Sequence, residues 1–414
     1  MPLSVADLDD IRISPADTGL PARAAGLTVG EFLDTEPTLD EFWTPLLVLD
    51  DAALRANARA IQSWCDERGL ELMPHGKTTM APALWRLQLD AGATGLTLAT
   101  PGQVRTARAF GVASVMLANA LVAPAALAWA AAELADPGFE LRVWADSIDT
   151  VDAMETGLGG LGDLPRPIDV LVELGAPGGR TGARTLDEAR RLAERIAASP
   201  VLRLAGTAGY EGALGHDRST GAVAAVRGYL ADLVRLHETI AGLADGDLLL
   251  TAGGSAYLDF VAEAFAAPAA QTPGTRRVLR SGASLVHDEG FYRGISPIDD
   301  RLTPAMRGLA RVVSHPEPGL ALLDGGKRDF PYDEGLPVPL TLAGASATAL
   351  NDQHTFLRAA SGARDATGAL DVAVGDVVEL GLSHPCTAFD KRRLIPVVER
   401  FGSDRVVALV RTFF

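Results

Sequence analysis

IDVLVELG (168–175), TLDEARRLAERIAAS (185–199) and VLRLAGTA (201–208) follow one another along the chain, and their order decides the fold. The first and third are short runs, apolar almost throughout and rich in Val and Leu, as expected of strands buried on both faces. The second places apolar residues at helical spacing among charged ones, with Thr185 or a neighbour at its head as N-cap. Strand, helix, strand makes one βαβ unit, and a βαβ unit makes a parallel pair.

The same alternation continues outward from this unit. Upstream the apolar runs are TPLLVLD (44–50), ELMPH (71–75), TGLTLAT (94–100), VASVMLA (112–118) and FELRVWAD (139–146). Downstream come DLLLTAG (247–253) and RRVLRSG (276–282), and helical stretches such as AALRANARAIQSWCDERG (52–69) lie between runs. A closed (β/α)8 barrel needs eight strands, so one of these runs belongs elsewhere. The first is the candidate, because Pro45 and a long irregular lead-in precede its apolar core. After about residue 300 the texture changes to short strand patterns separated by Gly, Pro and Asp, with no long helical pattern. That reads as an antiparallel β domain. The expected fold class is α/β: a TIM-like barrel over 51–300, then a C-terminal antiparallel β domain.

Composition narrows the function. The 414 residues are 48% hydrophobic and 22% charged, a soluble globular mixture too long for one small domain. Lys+Arg 37 against Asp+Glu 53 leaves a net charge of −16, which argues against nucleic acid or an anionic membrane as partner. Two cysteines, Cys65 and Cys386, make neither a disulfide framework nor a CxxC site, pointing to a reducing, cytoplasmic compartment. The opening MPLSVADLDD lacks the basic and apolar regions of a signal peptide. The longest apolar run, 121–132, contains Pro124 and falls short of the roughly 20 residues of a membrane span.

Three stretches carry candidate chemistry. In PHGKTTM (74–80), Lys77 follows a short strand and precedes a helical pattern, at the strand end where barrels keep their sites. A partly desolvated lysine there has a lowered pKa and can form a Schiff base with a carbonyl group. A surface lysine on a βα turn fits the position equally well. LTAGGSAY (250–257) sets Gly253, Gly254 and Ser255 between strand and helix, and VLRSGAS (278–284) sets Gly282 and Ala283 after the next strand. Consecutive late strands of a barrel often share a phosphate, although each glycine cluster alone is more often a turn. Gly157, Gly159 and Gly162 also satisfy GxGxxG, but they follow a helical pattern and read as a helix-ending loop.

The third stretch is SHPCTAFDKRR (383–393), with His384 and Cys386 two apart. Such a pair points to one side of an extended segment and suits zinc or another borderline-soft ion. Taken alone, H-x-C is more often a turn with a chance histidine and a buried thiol. Arg180, Arg280 and Tyr210 could face a bound ring, and His354 could serve as an acid. Cys65 lies in an amphipathic helix and reads as core, while His237 in a long helical pattern carries no signal.

In this order the pieces resemble the fold-type III pyridoxal-phosphate enzymes, specifically the D-serine dehydratase and D-threonine aldolase family with its alanine-racemase-like barrel. The matching text runs from TPLLVLDDAALRANARAI through PHGKT, VELGAPGGRTG, AGYEG, TAGGSAY, LRSGAS, DGGKRD and NDQH to SHPC, over residues 44 to 398. The resemblance implies a pyridoxal-phosphate-binding barrel, with residues 1–50 and 301–414 together forming the β domain, so that the early strand joins the late ones. It implies that Lys77 holds pyridoxal 5'-phosphate. Gly253, Gly254, Ser255, Gly282 and Ala283 would bind its phosphate, and Arg180 and Tyr210 would line its ring. His384 and Cys386 would hold Zn2+ or another divalent metal, and the chain would form a homodimer. Dehydratases of the family carry H-x-C where the aldolases carry H-x-D. Cys386 therefore favours dehydration of a D-β-hydroxy amino acid such as D-serine or D-threonine to a 2-oxo acid and ammonia. A metal-dependent aldolase giving glycine and an aldehyde, an amino-acid racemase and a non-catalytic cofactor carrier are the alternatives. The chain departs from the best-known dehydratases around the lysine and at NDQH, and with DGGKRDF (324–330) that region is expected to shape a pocket for a second polar group of the substrate.

Overall fold

The computed structural model describes residues 6–215, 217–359 and 369–414. It divides into two compact units: Ile61–Lys77 with Leu89–Gly282, and the chain up to Ala60 with Thr78–Gln88 and Ala283–Phe414. The first strand, β1 (Leu46–Asp50), belongs to the second of these.

The other unit is a parallel barrel. Its strands are β2 (Glu71–Leu72), β3 (Leu96–Leu98), β4 (Ser114–Leu117), β5 (Glu140–Ala145), β6 (Ile168–Leu174), β7 (Leu202–Gly209), β8 (Leu248–Ala252) and β9 (Thr275–Leu279). They run in the order β3-β4-β5-β6-β7-β8-β9-β2. A parallel bridge between His75 and Thr97 and a bond from the Thr94 amide to the Leu72 carbonyl bring β2 back to β3. Met73, Met116, Trp144, Leu171, Leu249 and Val278 pack together as its core. Outside it, the helix Leu186–Ala197 starts where its sequence says it should. The Thr185 hydroxyl accepts from the Glu188 amide and the Glu188 carboxylate takes the Thr185 amide, a capping box worth about 1 kcal/mol. Ala189, Leu192, Ala193 and Ile196 form its buried face. Gly157 and Gly159 end the helix Ile148–Gly159 instead of opening one, and Gly162 beyond it has φ +77°.

His237, silent in the sequence, is completely buried in the helix Thr220–Ile240. Its ring nitrogens lie 3.1 Å from Thr207 Oγ1 on β7 and 2.9 Å from Thr275 Oγ1 on β9. Burial pushes its pKa down to about 4 from 6.5. Between those values the unfolded chain binds the proton that the folded chain refuses, so stability falls as pH drops from about 6.5 to about 4 and is intact above. The linkage amounts to about 3 kcal/mol. Urea unfolding at stepped pH should therefore show a shallower acid limb for His237→Gln than for the wild type, whatever its stability at neutral pH; an unchanged limb would refute this assignment.

The second unit is a mainly antiparallel sheet. After β1 it contains β10 (Met306–Glu317), β11 (Leu320–Leu323), β12 (Val338–Pro339), β13 (Ala345–Leu350), β14 (Thr355–Ala359), β15 (Val377–Gly381), β16 (Leu394–Val398) and β17 (Val406–Arg411). The order is β13-β14-β11-β10-β1-β16-β17, with β15 pairing with β10 and β12. β1 is antiparallel to β10 and parallel to β16, so the early strand does join the late ones, and one parallel pair interrupts the antiparallel pattern. The lead-in before β1 is less irregular than it reads. A short helix, Val29–Leu33, is held by a capping box between Thr28 and Glu31. Ile13, Leu20, Phe32 and Phe42 pack there with Leu46, Leu394 and Leu409. Among the described residues no helix is long and apolar enough to cross a membrane.

Candidate active site

Lys77 occupies the tight turn Gly76–Thr78 just past β2 and is half-buried. The whole chain has three lysines, Lys77, Lys327 and Lys391, so Lys77 is the barrel unit's only primary amine on a side chain. Two residues back, His75 is held neutral: burial pushes its pKa well below the usual value, and the positive charges of Lys77, Arg280 and Arg180 push the same way. Cations from three strand ends thus converge on one imidazole.

Arg280, just past β9, is fully buried. It donates to Thr251 Oγ1 at 2.7 Å and to the Gly209 carbonyl at 2.5 Å, and its guanidinium lies 4.8 Å from the centroid of Trp144. Burial lowers its pKa to about 10, with Glu211 and Tyr229 opposing the fall. His75 Nδ1, Arg280 Nε and Trp144 Nε1 are buried polar atoms without a hydrogen-bond partner among the described residues. Orphaned buried groups are expensive. A lysine, a buried arginine and orphaned nitrogens at the strand ends of one barrel suit an anionic, carbonyl-bearing ligand such as pyridoxal phosphate, and the residues fit that group.

Tyr210 and Arg180 meet each other: the guanidinium is 4.9 Å from the tyrosine ring centroid. The Tyr210 amide donates to the Tyr229 hydroxyl, which donates to the Leu174 carbonyl at 2.6 Å, tying β7 to β6. Arg184 shapes the loop that bears Arg180 by donating to the carbonyls of Ala176, Gly179, Arg180 and Thr181. Thr181 donates to the buried Glu173 at 2.7 Å.

The glycine segments are more particular than the sequence implies. The amides of Gly253 and Gly254 donate to Glu211, to Oε2 at 3.0 Å and Oε1 at 2.8 Å. Ser255 Oγ meets Ser281 Oγ at 2.7 Å, so the hydroxyls after β8 and β9 do come together. Gly282 is required by packing, since a Cβ there would lie 2.6 Å from the His75 carbonyl oxygen. Ala283 is buried at the start of the turn Ala283–Leu285, which falls in the other unit.

In that unit, β15 leads into His384 and Cys386. His384 has φ +64°, a left-handed conformation that disfavours L-residues, and it heads the turn Pro385–Thr387. Its Nδ1 lies 2.6 Å from Asp333 Oδ2, whose other oxygen accepts from Thr387 Oγ1 at 2.7 Å. Cys386 Sγ is 3.4 Å from Thr78 Oγ1. Burial lowers the imidazole's pKa, but Cys386 and Asp333 outweigh it and raise the value to about 9. Phe291 and Tyr292 flank the ring, at 6.4 Å and 6.5 Å between centroids. The buried Asp288 fixes both by accepting the amides of Gly290, Phe291 and Tyr292. A carboxylate on Nδ1 is the usual support of a metal-binding imidazole, and the ring also has Cys386 as a hydrogen-bond partner. No cluster of three or more His, Cys, Asp or Glu arranged for a metal occurs among the described residues. His384 and Cys386 are a two-donor set whose chemistry suits a borderline-soft ion with further positions open.

The remaining candidates stand apart. His354 is exposed in the turn between β13 and β14, where its carbonyl accepts from the Asn351 amide, and no side-chain hydrogen bond among the described residues joins it to His384 or Cys386. Lys327 Nζ lies 5.5 Å from the Tyr332 ring centroid, and Arg328 pairs at 3.6 Å with an equally exposed Asp352. Cys65 is buried, and burial pushes its thiol up to about 12, consistent with a core role. Four residues the sequence did not mark matter here: His75, Trp144, Glu211 and Asp333. His75 and Glu211 sit inside the PHGKT and AGYEG segments already quoted. Asp333 lies 51 positions from His384, and Trp144 is one more apolar residue in a buried strand.

Family models agree with this layout. The model for the alanine racemase N-terminal domain matches residues 49–265, more than half the chain. The chain belongs to that family. A serine dehydratase domain model matches residues 305–398. Among characterised proteins, a D-threonine aldolase of Arthrobacter sp is 29% identical over 326 residues, covering 78% of this chain and 81% of that protein. A D-threo-3-hydroxyaspartate dehydratase of Delftia sp. (strain HT23) is 26% identical over 382 residues, covering 85% and 92%. A crystal structure of D-threonine aldolase from Filomicrobium marinum superposes with a TM-score of 0.78 at 24% identity, covering 91% of this chain and 96% of that one. Structures also exist of a His→Ala variant of D-threo-3-hydroxyaspartate dehydratase and of a Cys→Ala variant in a metal-free form, the two altered positions being two apart.

Proposed function

We propose that the protein is a pyridoxal-phosphate-dependent lyase that dehydrates a D-β-hydroxy amino acid with the help of a divalent metal, giving a 2-oxo acid and ammonia. The family and the curated relatives make it a lyase-type enzyme acting on D-hydroxy amino acids. The observation that carries the finer reading is the pair itself: an oriented imidazole with a thiol two residues on. The dehydratase whose His→Ala and Cys→Ala variants have the same spacing, one of them metal-free, supports it.

Bound pyridoxal phosphate supplies an electron sink for the charge left on Cα, and the metal a Lewis acid for the departing hydroxyl. Lys77 Nζ would hold the cofactor, and as a free amine beside the substrate it would take the proton from Cα. His75, held neutral among cations, adds no competing charge beside it. Arg280 and Trp144 furnish a stacked wall, and Arg180 against Tyr210 a second. His384 and Cys386 would hold the metal, and Asp333 on Nδ1 would fix the orientation of the imidazole. A cytoplasmic homodimer accompanies this reading.

Aldol cleavage is the second reading, favoured by the 29% identical aldolase. Racemisation would need a second base on the opposite cofactor face and no metal. Metal-loaded protein given D-threonine separates them: 2-oxobutanoate with ammonia, suppressed by a chelator, is the expected result. Glycine with acetaldehyde would replace dehydration by aldol cleavage, and L-allo-threonine, the Cα epimer, formed without chelator sensitivity would mark a racemase.

A further inference from the structure

Glu211 is completely buried in the short turn Glu211–Ala213 that follows β7, and nothing in the reaction above uses it. Both its oxygens are spent on the loop after β8, one on each of two successive glycine amides. That loop is conformationally demanding. Gly253 has φ +112°, and a Cβ there would come within 2.4 Å of Leu279 Cδ1. A loop of two glycines has little intrinsic preference for one shape, so a buried double acceptor is what fixes it. The next residue, Ser255, is then delivered against Ser281 from the neighbouring strand, both buried. The Tyr210 ring packs over the same loop, since a Cβ on Gly254 would meet Tyr210 Cε2 at 3.1 Å.

The glycine amides are thus turned toward an internal carboxylate, beside which a phosphate dianion would be repelled. Burial raises the Glu211 pKa, opposed by the glycine amides and by the charge of the buried Arg280. We propose that Glu211 is a positioning residue for the phosphate of the cofactor: it locks the Gly253–Gly254 loop so that the Ser255–Ser281 hydroxyl pair, and not the two glycine amides, receives the phosphate. This rests on the pyridoxal-phosphate reading and adds which groups select the phosphate.

The test compares pyridoxal phosphate with pyridoxal, which has the same ring and aldehyde but no phosphate. Each is titrated into cofactor-stripped protein and followed by the absorbance of the Lys77-bound form. For Glu211→Gln, an amide NH2 replaces one acceptor oxygen against a glycine N–H, so affinity for pyridoxal phosphate should fall about tenfold or more while that for pyridoxal holds. Ser255→Ala with Ser281→Ala, which leaves the clamp intact, should lose the same preference, and this pair decides the matter even if Glu211→Gln does not fold. Equal losses for both ligands in Glu211→Gln, or a preserved phosphate preference in the serine variant, would overturn the assignment. Wild-type protein that binds neither ligand would instead overturn the cofactor reading beneath it.

Discussion

Lys77→Ala is expected to reduce turnover by at least about a thousandfold and to abolish the cofactor's protein-bound absorbance, while leaving the protein folded. The size of the effect follows from the two tasks assigned to one nitrogen, holding the cofactor and moving the Cα proton. No other side chain of the barrel unit can take over the first, because that unit has no second lysine. His75 cannot take over the second, because its burial among three cations opposes the protonated form it would have to adopt. Lys77→Arg should fare no better, since a guanidinium keeps the charge but is not a nucleophile. Steady-state turnover of D-threonine, with an unfolding curve for each variant, checks the claim. A variant retaining a tenth of wild-type activity would exclude Lys77 as the attachment point.

The second large effect is at the metal pair. His384→Ala and Cys386→Ala should each lose the bound ion, measured as metal content after dialysis, and drop turnover by at least about a hundredfold. In the proposed site the described residues supply two donors, so loss of either would leave a single one, too few to retain a divalent ion against dialysis. Cofactor absorbance should survive in both, because Lys77 and Arg280 are untouched. Cys386→Asp is the more searching variant. If H-x-C against H-x-D decides the chemistry, it should keep the metal and shift product from 2-oxobutanoate toward glycine. Unchanged product ratios would show that the decision is made elsewhere.

Much of this was legible beforehand for an identifiable reason. Parallel strands buried on both faces, such as β6 and β8, write themselves as continuous apolar runs, and a threonine at the head of a helical pattern marks a helix start near Thr185. Chemistry-bearing residues on tight turns after strands, Lys77 and Ser255 among them, stand out against that background. What stayed hidden depends on partners distant in sequence. Asp333 becomes visible only when its carboxylate is found on His384, and Glu211 only when the loop after β8 folds onto it. His237 gave no sign of joining two barrel strands, because one histidine in a helical pattern looks like any other. The lead-in before β1 escaped for a different reason: its helices span three to five residues, shorter than the window over which periodicity can be read.

The account turns on a covalent link between Lys77 and pyridoxal phosphate, and borohydride reduction followed by peptide mass analysis tests it directly. Reduction makes the link permanent, and three lysines in the chain leave three possible sites. The predicted result is a single phosphopyridoxyl adduct on the peptide that carries Lys77. An adduct confined to Lys327 or Lys391, or none on protein purified with the cofactor, would contradict the account.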